Sequence, residues 1–104
     1  MKTIEINVRE LAKTIINNIH LAGSTEWDVF INDDGIIDVR HNTHPNGDWY
    51  EVYDFYSSWS KSDLSESKQE NIDWLISYVL NPWEIQNNIN RNISSGDDVE
   101  IIFI

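Results

Sequence analysis

The chain of 104 residues has no cysteine, one methionine, two prolines and only seven lysine and arginine residues. The absence of cysteine excludes disulfides and thiolate-ligated metal sites. The seven basic residues stand against 18 acidic ones, which gives a net charge of −11. Such a field disfavours direct binding to nucleic acid or to anionic membranes, and it favours a basic surface as partner.

Long apolar stretches are missing as well. No apolar run approaches the roughly 20 residues that span a bilayer. The N-terminal segment lacks the apolar core of a signal peptide. We therefore expect a soluble, cytoplasmic protein without a membrane partner.

Sequence motifs of the common catalytic and nucleotide-binding classes are also absent. The chain contains no G-x-S-x-G, no P-loop and no G-x-G-x-x-G. No serine has a recognisable base partner, and there is no cysteine to act as a nucleophile. We expect a protein that is not an enzyme and uses no cofactor.

What the chain does contain is enough apolar and aromatic surface for one domain, residues 1–104. Aromatic residues make up 12% of the sequence, and each can bury a large area. The spacing of apolar residues along the chain predicts the order β-α-β-β-β-α-α-β. The first element of this order could be a short strand or an irregular lead-in. This order favours an α+β fold, with an antiparallel or mixed sheet and helices packed on one face.

Three helices are predicted from apolar residues at helical spacing and from N-cap signals. The first covers about residues 8–21 behind Asn7. The second begins behind Asp63, with a glutamate three positions later as in a capping box. The third begins behind Asn81, with Pro82 at the first helical position, where proline is favoured.

Two strands of a hairpin are predicted on either side of the turn Asn32-Asp33-Asp34-Gly35, where apolar and polar residues alternate. The predicted inner face holds Trp27, Val29, Ile31, Ile37 and Val39. The predicted outer face holds Asp28, Phe30, Asp38 and Arg40. The closing run 99–104 is so apolar that it is typical of an interior strand.

A third strand is predicted over residues 48–56, and its faces are ambiguous. We favour the set Trp49, Glu51, Tyr53 and Phe55 inward, since it has the larger apolar content. The other set is Tyr50, Val52, Asp54 and Tyr56. On a regular strand Glu51 and Asp54, three positions apart, point to opposite faces and cannot act as a pair. Glu51 could act with Asp28 or Asp38 if the strands pair suitably.

Two segments have some features of metal sites. The loop with His41 and His44, followed by Asp48, has ligand types that suit zinc, but a structural zinc site needs four ligands. The acidic turn at Asp33 and Asp34 lacks the ligand spacing of a calcium-binding loop. We predict no metal at either segment.

The acidic residues are concentrated in one part of the chain. Residues 23–60 carry eight acidic residues against Arg40 alone, a net charge of −7. Side chains at i and i+2 on a strand lie about 6.6 Å apart, close to the spacing of phosphates along a DNA strand. The predicted partner-binding residues are the acids and tyrosines of this part: Asp28, Asp33, Asp34, Asp38, Asp48, Tyr50, Glu51, Asp54 and Tyr56.

In size, charge and composition, the chain is similar to the short acidic anti-restriction and anti-CRISPR proteins of phages and mobile elements, and to bacterial immunity proteins. The similarity covers no motif. It implies an inhibitor that imitates DNA and occupies the basic surface of a nuclease or defence enzyme. Two alternatives stay open: an immunity protein or antitoxin that neutralises one toxin, and a small metal-dependent enzyme.

Overall fold

The computed structural model of the protein describes residues 2–56, 61–92 and 99–104. Within these ranges the chain forms five strands and three α-helices, which confirms the α+β class and the predicted element order, including the first strand. The elements are β1 (Lys2–Ile6), α1 (Val8–Asn17), β2 (Trp27–Asn32), β3 (Ile37–His41), β4 (Trp49–Asp54), α2 (Lys68–Tyr78), α3 (Pro82–Asn92) and β5 (Val99–Phe103).

The strands are divided between two sheets. Strand β2 lies between β3 and β4 and is antiparallel to both, while β1 and β5 form a separate parallel pair. Buried side chains from both sheets and all three helices belong to one hydrophobic core. The two sheets and the helices therefore form a single packed unit in the described part of the chain.

Strand β5 is not the interior strand that its apolar sequence predicts. Among the described residues its one strand partner is β1, and its burial alternates, with Val99 and Ile101 buried. Its other edge is covered by Gln86 of α3. The Gln86 Nε2 donates to the Val99 carbonyl at 2.7 Å, and the Ile101 amide donates to Gln86 Oε1 at 2.9 Å. One side-chain amide thus takes the place of a third strand and blocks an exposed edge.

Helix α1 begins as predicted and ends earlier. The Asn7 side chain accepts a hydrogen bond from the Glu10 amide at 3.0 Å, and Leu11, Ala12, Ile15 and Ile16 of the predicted apolar stripe are buried. The helix ends at Asn17, four residues before the predicted end, and a short 3₁₀ turn follows. Asparagine and histidine are weak helix formers, and the Asn18 amide group instead donates to the Thr14 carbonyl at 2.8 Å.

Helix α2 begins behind Ser67, so the prediction of Asp63 as N-cap is wrong. The Ser67 hydroxyl accepts a hydrogen bond from the Glu70 amide, whereas Asp63 ends a 3₁₀ turn. Both segments fit a capping box. The second is used because the buried Asn71 side chain holds both backbone groups of Ser65, accepting from its amide at 2.8 Å and donating to its carbonyl at 2.9 Å. This contact fixes the turn directly before Ser67.

Helix α3 begins as predicted, since Asn81 Oδ1 accepts a hydrogen bond from the Glu84 amide at 2.8 Å. Of its predicted apolar stripe, Ile85 and Ile89 are buried, and Ile93 lies outside the described residues. In the described ranges, no helix has both the length and the apolar character needed to cross a membrane.

The hairpin of β2 and β3 has the predicted pairing, with Val29 opposite Val39 and Ile31 opposite Ile37. The predicted inner face is confirmed, because its members are buried or packed against the core. Phe30 lies on the outer face as predicted, yet it is buried. The ring of His44 stands edge-on to it with centroids 5.0 Å apart, so the loop behind β3 covers this part of the outer face.

Candidate functional site

A β-bulge in strand β4 determines the geometry of the site. Tyr53 pairs with Val29 and Glu51 pairs with Phe30, so Val52 between them has no partner on β2. The extra residue reverses the alternation of side chains. The buried residues of this segment are Tyr50, Val52, Tyr53 and Phe55, so neither set predicted for the inner face is correct as a whole.

The same bulge brings two carboxylates together that a regular strand would separate. Glu51 and Asp54 both lie on the outer side with Asp28 of β2, and one carboxylate oxygen from each lies within 4.8 Å of the others. The prediction that Glu51 and Asp54 cannot act together is therefore wrong. Glu51 also lies beside Asp28, which is one of the two carboxylates that the sequence allowed as its partner. We call Asp28, Glu51 and Asp54 the carboxylate cluster.

The environment of the cluster disfavours full ionisation. Partial burial, followed by the hydrogen bond and the charge of Asp28, raises the pKa of Glu51 to about 8. Partial burial and then Asp28 also raise the pKa of Asp54. The positive charge of Arg91 on α3 opposes both shifts. At neutral pH, Glu51 consequently keeps its proton, and the cluster carries less than three negative charges.

Strand β3 extends this acidic surface. Asp38 lies opposite Phe30, and Arg40 lies opposite Asp28. The Arg40 Nε donates to Asp38 Oδ2 at 2.7 Å, an exposed ion pair that offsets part of the Asp38 charge. We call the carboxylate cluster together with Asp38 the acidic face. The cluster's oxygens are closer together than the phosphate-like spacing of about 6.6 Å expected from a regular strand.

The turn at the far end of β2 places two predicted site residues elsewhere. Asp33 forms an ion pair with Lys2 of β1 at 3.0 Å. Tyr50 is buried close to this pair, and burial, followed by the Asp33 carboxylate, raises the pKa of its hydroxyl. Contacts of this kind support the fold, so the structure does not group Asp33 and Tyr50 with the acidic face.

The remaining predicted partner-binding residues, Asp34, Asp48 and Tyr56, are exposed. Asp34 lies at the tip of the same turn, and Asp48 lies in the loop before β4. Tyr56 follows β4 and is exposed beside Asp54. Tyr56 is therefore the predicted tyrosine that stands next to the acidic face.

A groove that the sequence analysis did not predict adjoins the cluster. It has a volume of about 490 Å³ and lies between the end of β4 and the junction of α2 with α3. We call it the aromatic groove. Its lining includes the aromatic residues Tyr53, Tyr56, Trp74 and Tyr78 and the acidic residues Asp54 and Glu84. The available signal was the Trp74–Tyr78 pair at i and i+4 on the flank of α2, whose ring centroids lie 6.4 Å apart.

The histidines of the predicted loop face different partners. His41 Nε2 lies 2.8 Å from a carboxylate oxygen of Glu26, and His44 Nδ1 donates to the Pro45 carbonyl at 2.9 Å. Among the described residues, the group whose ligand atoms are close enough to share a metal ion is the carboxylate cluster. Its oxygen atoms suit Mg²⁺ or Ca²⁺, although the charge of Arg91 nearby opposes a cation.

Comparison of the chain with models of protein families, with curated proteins and with solved structures found no match. The functional interpretation consequently depends on the geometry and charge of the acidic face and the adjoining aromatic groove.

Proposed function

We propose that the protein is a non-catalytic binding protein whose acidic face engages a basic surface of a partner protein. The partner class that fits this chemistry best is a nuclease or defence enzyme, whose nucleic-acid-binding surface is rich in lysine and arginine. Occupation of that surface would inhibit the enzyme. A cytoplasmic location, where such enzymes act, stays part of the proposal.

The observation that carries this proposal is the carboxylate cluster. Three acidic side chains lie within 4.8 Å of one another, and none of them forms an ion pair with another described residue. Partial burial, and then the neighbouring carboxylate of Asp28, raise the pKa of Glu51, so an ionised Glu51 costs free energy of folding. A basic partner would remove that cost on binding. Binding would therefore explain why the cluster is present, whereas folding alone does not.

A proton-release effect follows from the same argument. A cationic partner beside Glu51 stabilises its ionised form and lowers its pKa from about 8. Binding at pH 7 should therefore release a proton. Calorimetry in two buffers of different ionisation enthalpy would measure this as a buffer-dependent binding enthalpy, and Glu51→Gln should abolish the dependence.

The experiment that tests the proposal begins with capture of the partner from lysate and its identification. The affinity of the captured protein is then measured for wild type and for Asp28→Asn/Asp38→Asn/Asp54→Asn. The control is Glu10→Gln/Glu66→Gln/Glu100→Gln, which changes the net charge equally but uses exposed acids on α1, before α2 and on β5. Circular dichroism verifies that each variant is folded.

We expect the acidic-face variant to lose about 10- to 100-fold in affinity, mostly at low salt, because electrostatic complementarity is screened by ions. The control should change affinity much less. Equal losses in both variants, or an affinity that does not depend on salt, would contradict the proposal. Salt-independent binding with a large loss in Tyr56→Ala would instead favour an immunity protein or antitoxin recognised through shape and aromatic contacts.

A further inference from the structure

We propose that the aromatic groove receives one arginine side chain of the partner protein. This inference rests on the proposed function, because it assigns the residue that anchors the partner beside the acidic face. An anchor of this kind supplies a large share of the binding energy in many protein interfaces.

The walls of the groove suit a planar cation. Tyr56 and Tyr78 are 65% and 75% exposed, respectively, although they are large aromatic residues, and both line the groove with Trp74. Aromatic faces attract cations, and the guanidinium of arginine also stacks on them through its own plane. Exposed rings arranged around a recess are therefore better matched to arginine than to an apolar side chain.

The charges at the groove point to the same ligand. The acidic residues Asp54 and Glu84 belong to its lining, and no lysine or arginine is present among the described lining residues. A guanidinium can pair with a carboxylate through two parallel hydrogen bonds, which a lysine ammonium cannot do. The combination of aromatic rings and carboxylates thus favours arginine over lysine.

Asp54 connects the groove to the acidic face. It lines the groove, and it also belongs to the carboxylate cluster. An arginine in the groove would consequently place neighbouring basic residues of the partner over Asp28 and Glu51. The groove and the acidic face would then form one continuous interface, in which the groove fixes position and the face provides long-range attraction.

The inference can be tested with two peptides, hexa-arginine and hexa-lysine, before any partner is known. Their dissociation constants are measured at low salt for wild type, for Tyr56→Ala/Tyr78→Ala and for the control Trp83→Ala. Trp83 is 69% exposed on α3 and does not line the groove, so this control removes an equally exposed aromatic residue. A third variant, Asp28→Asn/Asp38→Asn, alters the acidic face without touching the groove lining.

The expected result is tighter binding of hexa-arginine than of hexa-lysine by wild type. Tyr56→Ala/Tyr78→Ala should lose about tenfold in affinity for hexa-arginine, as expected for loss of a cation–π site, and Trp83→Ala should stay within about twofold of wild type. Equal affinity for both peptides, no measurable binding by wild type, or wild-type affinity in the tyrosine variant would overturn the inference. If the tyrosine variant binds normally while Asp28→Asn/Asp38→Asn is weakened, the groove assignment fails and the proposed function survives.

Discussion

The two ends of strand β2 use the same residue type in opposite ways. At the turn end, Asp33 is paired with Lys2, and the Asn32 side chain accepts hydrogen bonds from two turn amides at 2.9 Å. At the other end, Asp28 lies beside two further carboxylates and is not ion-paired with any described residue. The first arrangement lowers the free energy of the folded state, and the second raises it.

The difference shows which acidic residues the fold requires. Asparagine and aspartate in a turn provide acceptors for turn amides, so their presence needs no functional explanation. A cluster of like charges placed by a bulge has no such structural benefit. Sites that reduce stability are commonly kept for binding or catalysis. Substitutions at the two ends of β2 should therefore have effects of opposite sign on stability.

The largest effect is expected for Gly35→Ala at the turn end. Gly35 has φ +80°, and an added Cβ would lie 2.6 Å from the backbone oxygen of Glu5 on β1. The left-handed conformation and the displacement of β1 should together lower the free energy of unfolding by about 2–4 kcal/mol. Chemical denaturation measures the change.

Gly23→Ala is the matched control for this prediction. Gly23 has φ +90°, but nothing lies within 4 Å of an added Cβ. Its cost should be limited to backbone strain, about 1–2 kcal/mol. If the two variants were equally destabilised, the close approach of Gly35 to Glu5 of β1 would add no cost to the substitution.

An intermediate effect of opposite sign is expected for Glu51→Gln at the cluster end. The folded protein holds a proton on Glu51 up to about pH 8, whereas the ordinary pKa is 4.5. The stability that this group contributes is complete below pH 4.5 and is lost as the pH rises through 8. The neutral glutamine avoids this loss.

Glu51→Gln should therefore match wild type near pH 4 and exceed its free energy of unfolding at pH 8. We expect a gain of about 1–2 kcal/mol, because partial solvent exposure screens most of the full effect of the shift. Urea unfolding at pH 4.5, 6.5 and 8.5 provides the comparison. Parallel pH profiles for the two proteins would show that the cluster does not destabilise the fold.

The smallest effect is expected for Asp33→Asn. This change removes the exposed ion pair with Lys2 and should decrease stability slightly, since exposed ion pairs contribute little. The decrease should disappear at high salt. Thermal unfolding at low and high ionic strength measures it, and a stability gain like that of Glu51→Gln would remove the difference between the two ends of β2.

Much of the fold could be predicted because local signals and burial agree. Asn7 and Asn81 cap the first and third helices as predicted, and alternation identified Val29 and Ile31 as core. The start of α2 was missed because two capping boxes follow one another, at residues 63–66 and 67–70. The choice between them depends on Asn71, whose contact with Ser65 exists only in the folded chain.

The site was only partly predictable, and the bulge at Val52 is the reason. One extra residue in β4 places Glu51 and Asp54 on the same side, and no local sequence signal marked it. The bulge carbonyl receives a hydrogen bond from Asn88 Nδ2 at 2.9 Å. Asn88 is a weak helix former by residue type, and it bonds a strand backbone instead, a long-range role that helix propensity cannot reveal.

The most direct test of the acidic face as a binding surface is the affinity of the captured partner for Asp28→Asn as a function of ionic strength. Asp28 is central to the cluster, and its neutralisation relieves repulsion within the folded protein. The variant should bind about five- to tenfold more weakly than wild type at low salt and should approach wild-type affinity as salt increases. Wild-type affinity at low salt would contradict the account.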